Sequence, residues 1–165
     1  MVSVKFKHVL GGLKIPKFDK DGFITLYAVE DIIVKASSAE KVRTGLIFEV
    51  PTGYALIVVP PVSTSEKTPI RYANGIQYIT SEDKEEVNVI LENVTPLPKI
   101  NMKVPGFYYM NGEYSGNNYT HGYLPVGSVL VQKGDVIGRA YLTKVESATL
   151  SRVEKKTQVK NNEDE

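Results

Sequence analysis

The sequence predicts an all-β barrel or sandwich. Short apolar segments recur at intervals of about 8–12 residues, glycine and proline mark the gaps between them, and no stretch keeps the period of a convincing amphipathic helix. At 165 residues the chain is long enough for one domain with its own core, since ~68–70% of the unfolded surface is buried at this size. We expect a barrel domain over residues 1–150, carrying an insertion at about 95–128, and a polar tail over 151–165.

Composition removes several classes of function. There is no cysteine, which excludes disulfides, cysteine-ligated zinc and thiol catalysis. Twenty Lys plus Arg face 19 Asp plus Glu, so no long-range field draws in a polyanion. Neither nucleic acid nor a membrane is an expected partner. Lys5 and Lys7 interrupt the opening, and no run approaches the ~18 apolar residues of a membrane span.

Val2, Val4 and Phe6 alternate with Ser3, Lys5 and Lys7, so the chain begins as a strand with one buried face. Pro16 and the Asp21-Gly22 turn lead to a strand at Phe23 to Ala28, and Ile32, Ile33 and Val34 make a third. Ala36 to Lys41 reads as a polar link. In Arg43 to Pro61, Leu46, Phe48 and Val50 share one parity, and Pro51-Thr52-Gly53 turns the chain toward Tyr54 to Val59, a hairpin pattern. Pro60 and Pro61 end it, and Pro69 opposes a long helix in the polar connection that follows.

Gly75 to Asn93 reads as strand, turn, strand. β-formers at Ile76, Tyr78 and Ile79 lead into Ser81, Glu82, Asp83 and Lys84, after which Val87, Val89 and Leu91 alternate with polar residues. From Thr95 the chain is rich in Gly, Asn, Pro and Tyr, and five of its ten tyrosines lie between Tyr108 and Tyr123. Such composition suits a binding loop, because tyrosine offers large amphipathic area at small rotamer cost. Phe107, Tyr108, Tyr109, Tyr114, Asn117, Asn118, Tyr119, His121 and Tyr123 are the expected partner contacts; the alternative is that several rings pack back onto the barrel. Val129 to Val131, a Lys133-Gly134-Asp135 turn and Val136 to Leu142 return to strand.

Five segments in order carry a resemblance: VKFKHVLGGLKIPKF, DGFITLYAVEDIIV, RTGLIFEVPTGYALIVVPP, EEVNVILEN and VQKGDVIGRAYL. Together they resemble the dUTP nucleotidohydrolase (dUTPase) family over Val4 to Val145. The resemblance implies a jelly-roll-like barrel that assembles as a homotrimer with sites between subunits. It also implies an Asp-activated water, Mg²⁺ on the triphosphate, a uracil-selecting hairpin and a glycine-rich phosphate cover.

The functional positions of that family are largely changed here. Thr25 stands where its first motif has Asp, and Val59, Pro60, Pro61, Val62 and Ser63 stand for its Arg-Ser-Gly element. Thr80 and Asp83 occupy the places of the general base and the stacking tyrosine; a shift of two or three residues would bring Glu82 or Asp83 to the base position. Gly134 to Arg139 keeps the turn of the fourth motif without its Arg and Gln, and the tail lacks the glycine-rich cover.

These differences lead to the expectation of a non-catalytic member, of virus or phage origin, in the host cytoplasm or a virion. It would act as a structural or interaction module through the 107–123 loop, with no cofactor and no metal. A second reading is a nucleotide binder without hydrolysis, using Arg43, Arg71, Lys84 and Arg139. A third is a divergent Mg-dependent hydrolase using Glu82 or Asp83.

Overall fold

The computed structural model describes residues 2–151, so the 151–165 tail lies outside it except for Ser151. In chain order come β1 (Lys5–His8), β2 (Phe23–Tyr27), β3 (Ile32–Val34), β4 (Ser38–Arg43), β5 (Leu46–Glu49) and β6 (Tyr54–Val59). After a short helix α1 (Val62–Lys67) follow β7 (Ile70–Tyr72), β8 (Gln77–Ile79) and β9 (Asn88–Asn93). The insertion adds β10 (Lys103–Val104), β11 (Tyr108–Tyr109), a 3-10 turn (Tyr119–His121) and β12 (Leu124–Pro125). β13 (Val129–Val131) and β14 (Val136–Lys144) complete the barrel.

One sheet has the order β2-β14-β6-β8, a second β4-β9-β7 and a third β11-β13-β3; β1 pairs with β5 and β10 with β12. Alternation sets which side chains enter the core. On β2, Ile24 and Leu26 are buried while Phe23, Thr25 and Tyr27 lie on the outer face. Leu26, Leu56, Val58 and Ile137 from the first sheet meet Val42, Val89 and Leu91 from the second around Phe48. Each fully buried Leu or Val contributes roughly 1.5–3 kcal/mol.

Pairing departs from the sequence reading in two places. Neither expected hairpin closes on itself: β5 pairs with β1 while β6 pairs with β14 and β8, so Pro51 to Gly53 carries the chain between sheets. Likewise β8 pairs with β6 while β9 pairs with β4 and β7. Alternation fixes which face is buried but does not name the neighbour.

Two connections are also structured. The link at 36–41 is largely strand β4, whose polar sequence is accommodated because only Val42 is fully buried. The polar connection after Pro61 contains α1. Pro61 enters it at φ −66°, and the Thr68 hydroxyl closes it by donating to the Thr64 carbonyl at 2.7 Å, one residue before Pro69.

β14 carries a bulge. Val136 pairs with Tyr27 and Gly138 with Leu26, leaving Ile137 as the extra residue. The largely buried Tyr72 hydroxyl donates to the Ile137 carbonyl there, and burial pushes its phenol well above the usual range. A Cβ on Gly138 would stand 2.7 Å from that hydroxyl and 3.3 Å from Leu26 Cδ1, which is why glycine is needed. The bulge sets the position of the next residue, Arg139.

Candidate functional site

The turn after β8 holds a carboxylate. Ile79 is buried and anchors the strand end, so Thr80 to Asp83 reverse near the surface. Asp83 Oδ2 accepts hydrogen bonds from the Thr80 amide at 2.7 Å and the Thr80 hydroxyl at 2.9 Å. The Asp83 amide donates back to the Thr80 carbonyl at 3.3 Å. These donors, the Thr80 amide foremost, hold the Asp83 carboxyl below the ordinary Asp range. Of Glu82 and Asp83, the geometry singles out Asp83 as an ionised group fixed at the tip.

Glu86, from the same acidic run, is structural. Its carboxylate accepts from Arg43 Nε at 3.1 Å, Arg43 Nη2 at 3.0 Å and the Gly45 amide at 2.8 Å. This bidentate fork ties the turn to the β4–β5 corner and commits Arg43. Arg71 Nη1 donates to the Thr68 and Ile70 carbonyls at 3.0 and 2.8 Å, and Lys84 Nζ to the Ser81 carbonyl at 2.6 Å. Three of the four expected nucleotide-binding cations therefore staple their own neighbourhoods.

Arg139 is placed differently. On β14 it stands opposite Thr25 of β2 and Val59 of β6, so these three form one row on the outer face. The row brings together three of the positions singled out in the sequence. Asp19 Oδ2 accepts from Arg139 Nη2 at 2.8 Å. Beside the row, a cleft of about 320 Å³ is lined by Leu13, Ala28, Val29 and Leu46 with Thr25 and Tyr27, and includes Lys14 and Lys133. The Lys14 ammonium lies 4.3 Å from the centroid of the Tyr27 ring. An apolar lining with a few polar and cationic groups suits a ring-bearing anion.

Asp19, Lys14, Tyr27 and Lys133 are not among the residues expected from sequence. Asp19 lies in a segment that reads as a plain connection, and its partner is 120 residues away. Lys133 immediately precedes the Gly134-Asp135 turn, a usable signal.

The row does not fit a divalent cation held by the protein. Thr25 carries no charge, and both oxygens of Asp19 are engaged, Oδ1 by the Asp21 and Phe23 amides at 2.9 Å each and Oδ2 by Arg139. Among the described residues no cluster of three or more His, Cys, Asp or Glu side chains stands ready for a metal ion.

The tyrosine-rich insertion is ordered and packs partly inward. Phe107, only 2% exposed, forms a satellite core with Leu124 and Leu130, against which Tyr109 also packs. Tyr109 and His121 approach the Phe107 ring edge-on at 5.4 and 5.3 Å. Phe107 is therefore a packing residue rather than a surface contact, because one ring this apolar gains more from burial than from solvent. Asn118 Oδ1 caps the 3-10 turn by accepting from the Thr120 amide at 3.0 Å. Tyr108 and Tyr114 pair at 5.0 Å, while Tyr119 and Tyr123, 60% and 63% exposed, pair at 5.9 Å near Asn117 on the surface.

No family model matches the chain. A curated relative, the deoxyuridine 5'-triphosphate nucleotidohydrolase of Nautilia profundicola, is 29% identical over 92 residues, 49% of this chain and 65% of that protein. The match thus spans less than two thirds of the relative's length. Among solved structures, a point-mutant dUTPase from phage phi11 of S. aureus superposes with a TM-score of 0.82 at 14% identity, covering 93% of this chain and 98% of that one. The Staphylococcus bacteriophage 80alpha dUTPase superposes at 0.81 with 16% identity, covering 93% and 97%. The expectation of a chain that has lost its reaction is overturned by these likenesses, since all three relatives are named as dUTPases. Thr25 and Thr80 carry no charge themselves, while the turn brings the Asp83 carboxylate onto Thr80.

Proposed function

The chain has the dUTPase fold, and on that scaffold we propose that it hydrolyses a deoxyuridine-type nucleoside triphosphate to the monophosphate and pyrophosphate. The observation that carries the reading is the Asp83 carboxylate gripped by Thr80 at 2.7 and 2.9 Å. Asp83 accepts a proton from water as its oxygen attacks phosphorus; the P–O bond to the leaving pyrophosphate breaks, and pyrophosphate takes the electron pair. Arg139 faces the phosphates, and the cleft beside Thr25 takes the apolar part of the nucleotide.

The site is shared between copies of the chain. Along β6, Ile79 stands opposite Leu56 and Arg139 opposite Val59, with β14 and β8 on either side of β6. Thr80 and Arg139 are therefore separated by roughly 15 Å at ordinary strand spacings. A second copy, in the homotrimer that the resemblance implies, brings one chain's turn to another's row. The barrel over 1–150, phage origin and location in a host cytoplasm belong to the same proposal. Among the described residues no helix is long and apolar enough to cross a membrane.

A second role is favoured by the exposed Tyr119–Tyr123 pair: protein contact through the insertion, alongside the reaction. Phage dUTPases, that of Staphylococcus bacteriophage 80alpha among them, control transfer of virulence genes.

Turnover of dUTP, dCTP and dTTP by purified protein, with and without added Mg²⁺, tests the reaction. Pyrophosphate release from dUTP, reduced about 10²–10⁴-fold by Asp83→Asn, is expected. Absence of turnover on every nucleotide would refute it.

A further inference from the structure

Asp19 and Arg139 form an ion pair at 2.8 Å, and the guanidinium also lies over the Phe23 ring, its Cζ 4.2 Å from the centroid. Asp19 is itself fixed by its turn, since Oδ1 accepts from two amides of the chain that follows it. Arg139 is thus held at one end by a carboxylate and on one face by a ring. The backbone donors, Phe23 first, keep the Asp19 carboxyl below its ordinary range, so the pair stays charged through neutral pH.

We infer, resting on the reading above, that Arg139 binds the phosphates and that Asp19 is its positioning residue. A guanidinium carries five N–H donors in a rigid fork. Among the described residues only Nη2 has a partner, which leaves the other donors available to phosphate oxygens. Thr25 and Val59 flank Arg139 without adding a carboxylate to the row. An arginine held in this way loses less rotamer freedom on binding than a free one. Partly exposed pairs add little to stability, so the consequence of this one is orientation.

Calorimetry on the full chain, with inorganic tripolyphosphate and deoxyuridine as separate probes, tests the inference. Asp19→Asn keeps an oxygen for the Asp21 and Phe23 amides but removes the charge that holds Nη2. It should weaken tripolyphosphate binding about five-fold and leave deoxyuridine binding unchanged. Arg139→Gln should weaken tripolyphosphate by about ten-fold or more, and adding Asp19→Asn to it should have no further effect. Tighter tripolyphosphate binding by Asp19→Asn would overturn the inference, because Asp19 would then be competing with phosphate. So would an unchanged affinity, an Asp19 effect that persists without Arg139, or a wild-type chain that does not bind tripolyphosphate. Arg139- and Asp19-dependent binding without any nucleotide turnover would support the inference while counting against the reaction.

Discussion

Replacing Asn93 by alanine should cost the barrel several kcal/mol, although the residue touches no proposed substrate group. Asn93 is fully buried, and its Nδ2 donates to the Val34 carbonyl at 3.0 Å and the Gly127 carbonyl at 2.8 Å. Its Oδ1 accepts from the Thr95 amide at 3.0 Å. One side chain therefore ties the end of β9 to β3 and to both ends of the insertion. Alanine strands three backbone groups, each costing ~1–3 kcal/mol if left unpaired. Partial access of water near Thr95 lowers the sum, so we expect a loss of about 4 kcal/mol. For a domain of this size that corresponds to a fall of roughly 10 °C in Tm. Asn93→Asp should be no better, since it keeps the acceptor for Thr95 but sets an anion against two carbonyl oxygens. Urea unfolding with an unchanged m value is the assay. A loss below about 1 kcal/mol would refute the clamp and show that water replaces it.

Three further perturbations probe other parts of the account. Tyr72→Phe removes the donor to the Ile137 carbonyl at the bulge, and should cost about 1–2 kcal/mol by urea unfolding. Phe107→Ala empties the satellite core at a local cost of about 3–5 kcal/mol; hydrogen exchange should rise across residues 103–125 while the main core stays protected. The pH dependence follows from Asp83. Its folded pKa is depressed, so the contribution of its Thr80 contacts is present above the unfolded Asp pKa and lost as pH falls through the lower folded value. Activity should accordingly hold from neutral pH down through the ordinary carboxylate range and fall only below it. A rate that titrates near pH 6–7 would point to another base.

Much of the barrel can be read from alternation. Ile24 and Leu26, Val89 and Leu91, and Leu56 and Val58 enter the core as their alternation requires, while Ala55 and Ile57 are buried on the opposite face of their strand. Partner choice is not readable in this way, because a strand's pattern describes its faces and not its edges. Tyr54 to Val59 therefore looks like half of a hairpin when it is the interior strand between β14 and β8. β4 is hidden by its polarity: Glu40 and Lys41 lie in a strand with a single fully buried residue.

The candidate site divides along the same line. Thr25, Thr80, Asp83 and Arg139 are identifiable by position, but their chemistry is not. The Thr80–Asp83 clasp depends on turn geometry, the Arg139–Asp19 pair joins distant segments, and Arg43 looks free until Glu86 folds onto it. Phe107 groups with the exposed tyrosines in the sequence because composition does not separate an aromatic that packs inward from one that faces a partner.

The proposed hydrolysis requires the carboxylate at the turn after β8 to activate water for attack on a nucleoside triphosphate. Steady-state dUTP hydrolysis by the wild type and Asp83→Asn tests it most directly. A fall in kcat of about 10²–10⁴-fold with KM changed little is predicted, since a proton acceptor acts in the transition state more than in binding. Equal kcat in the two proteins would contradict the account and move the base elsewhere in the site.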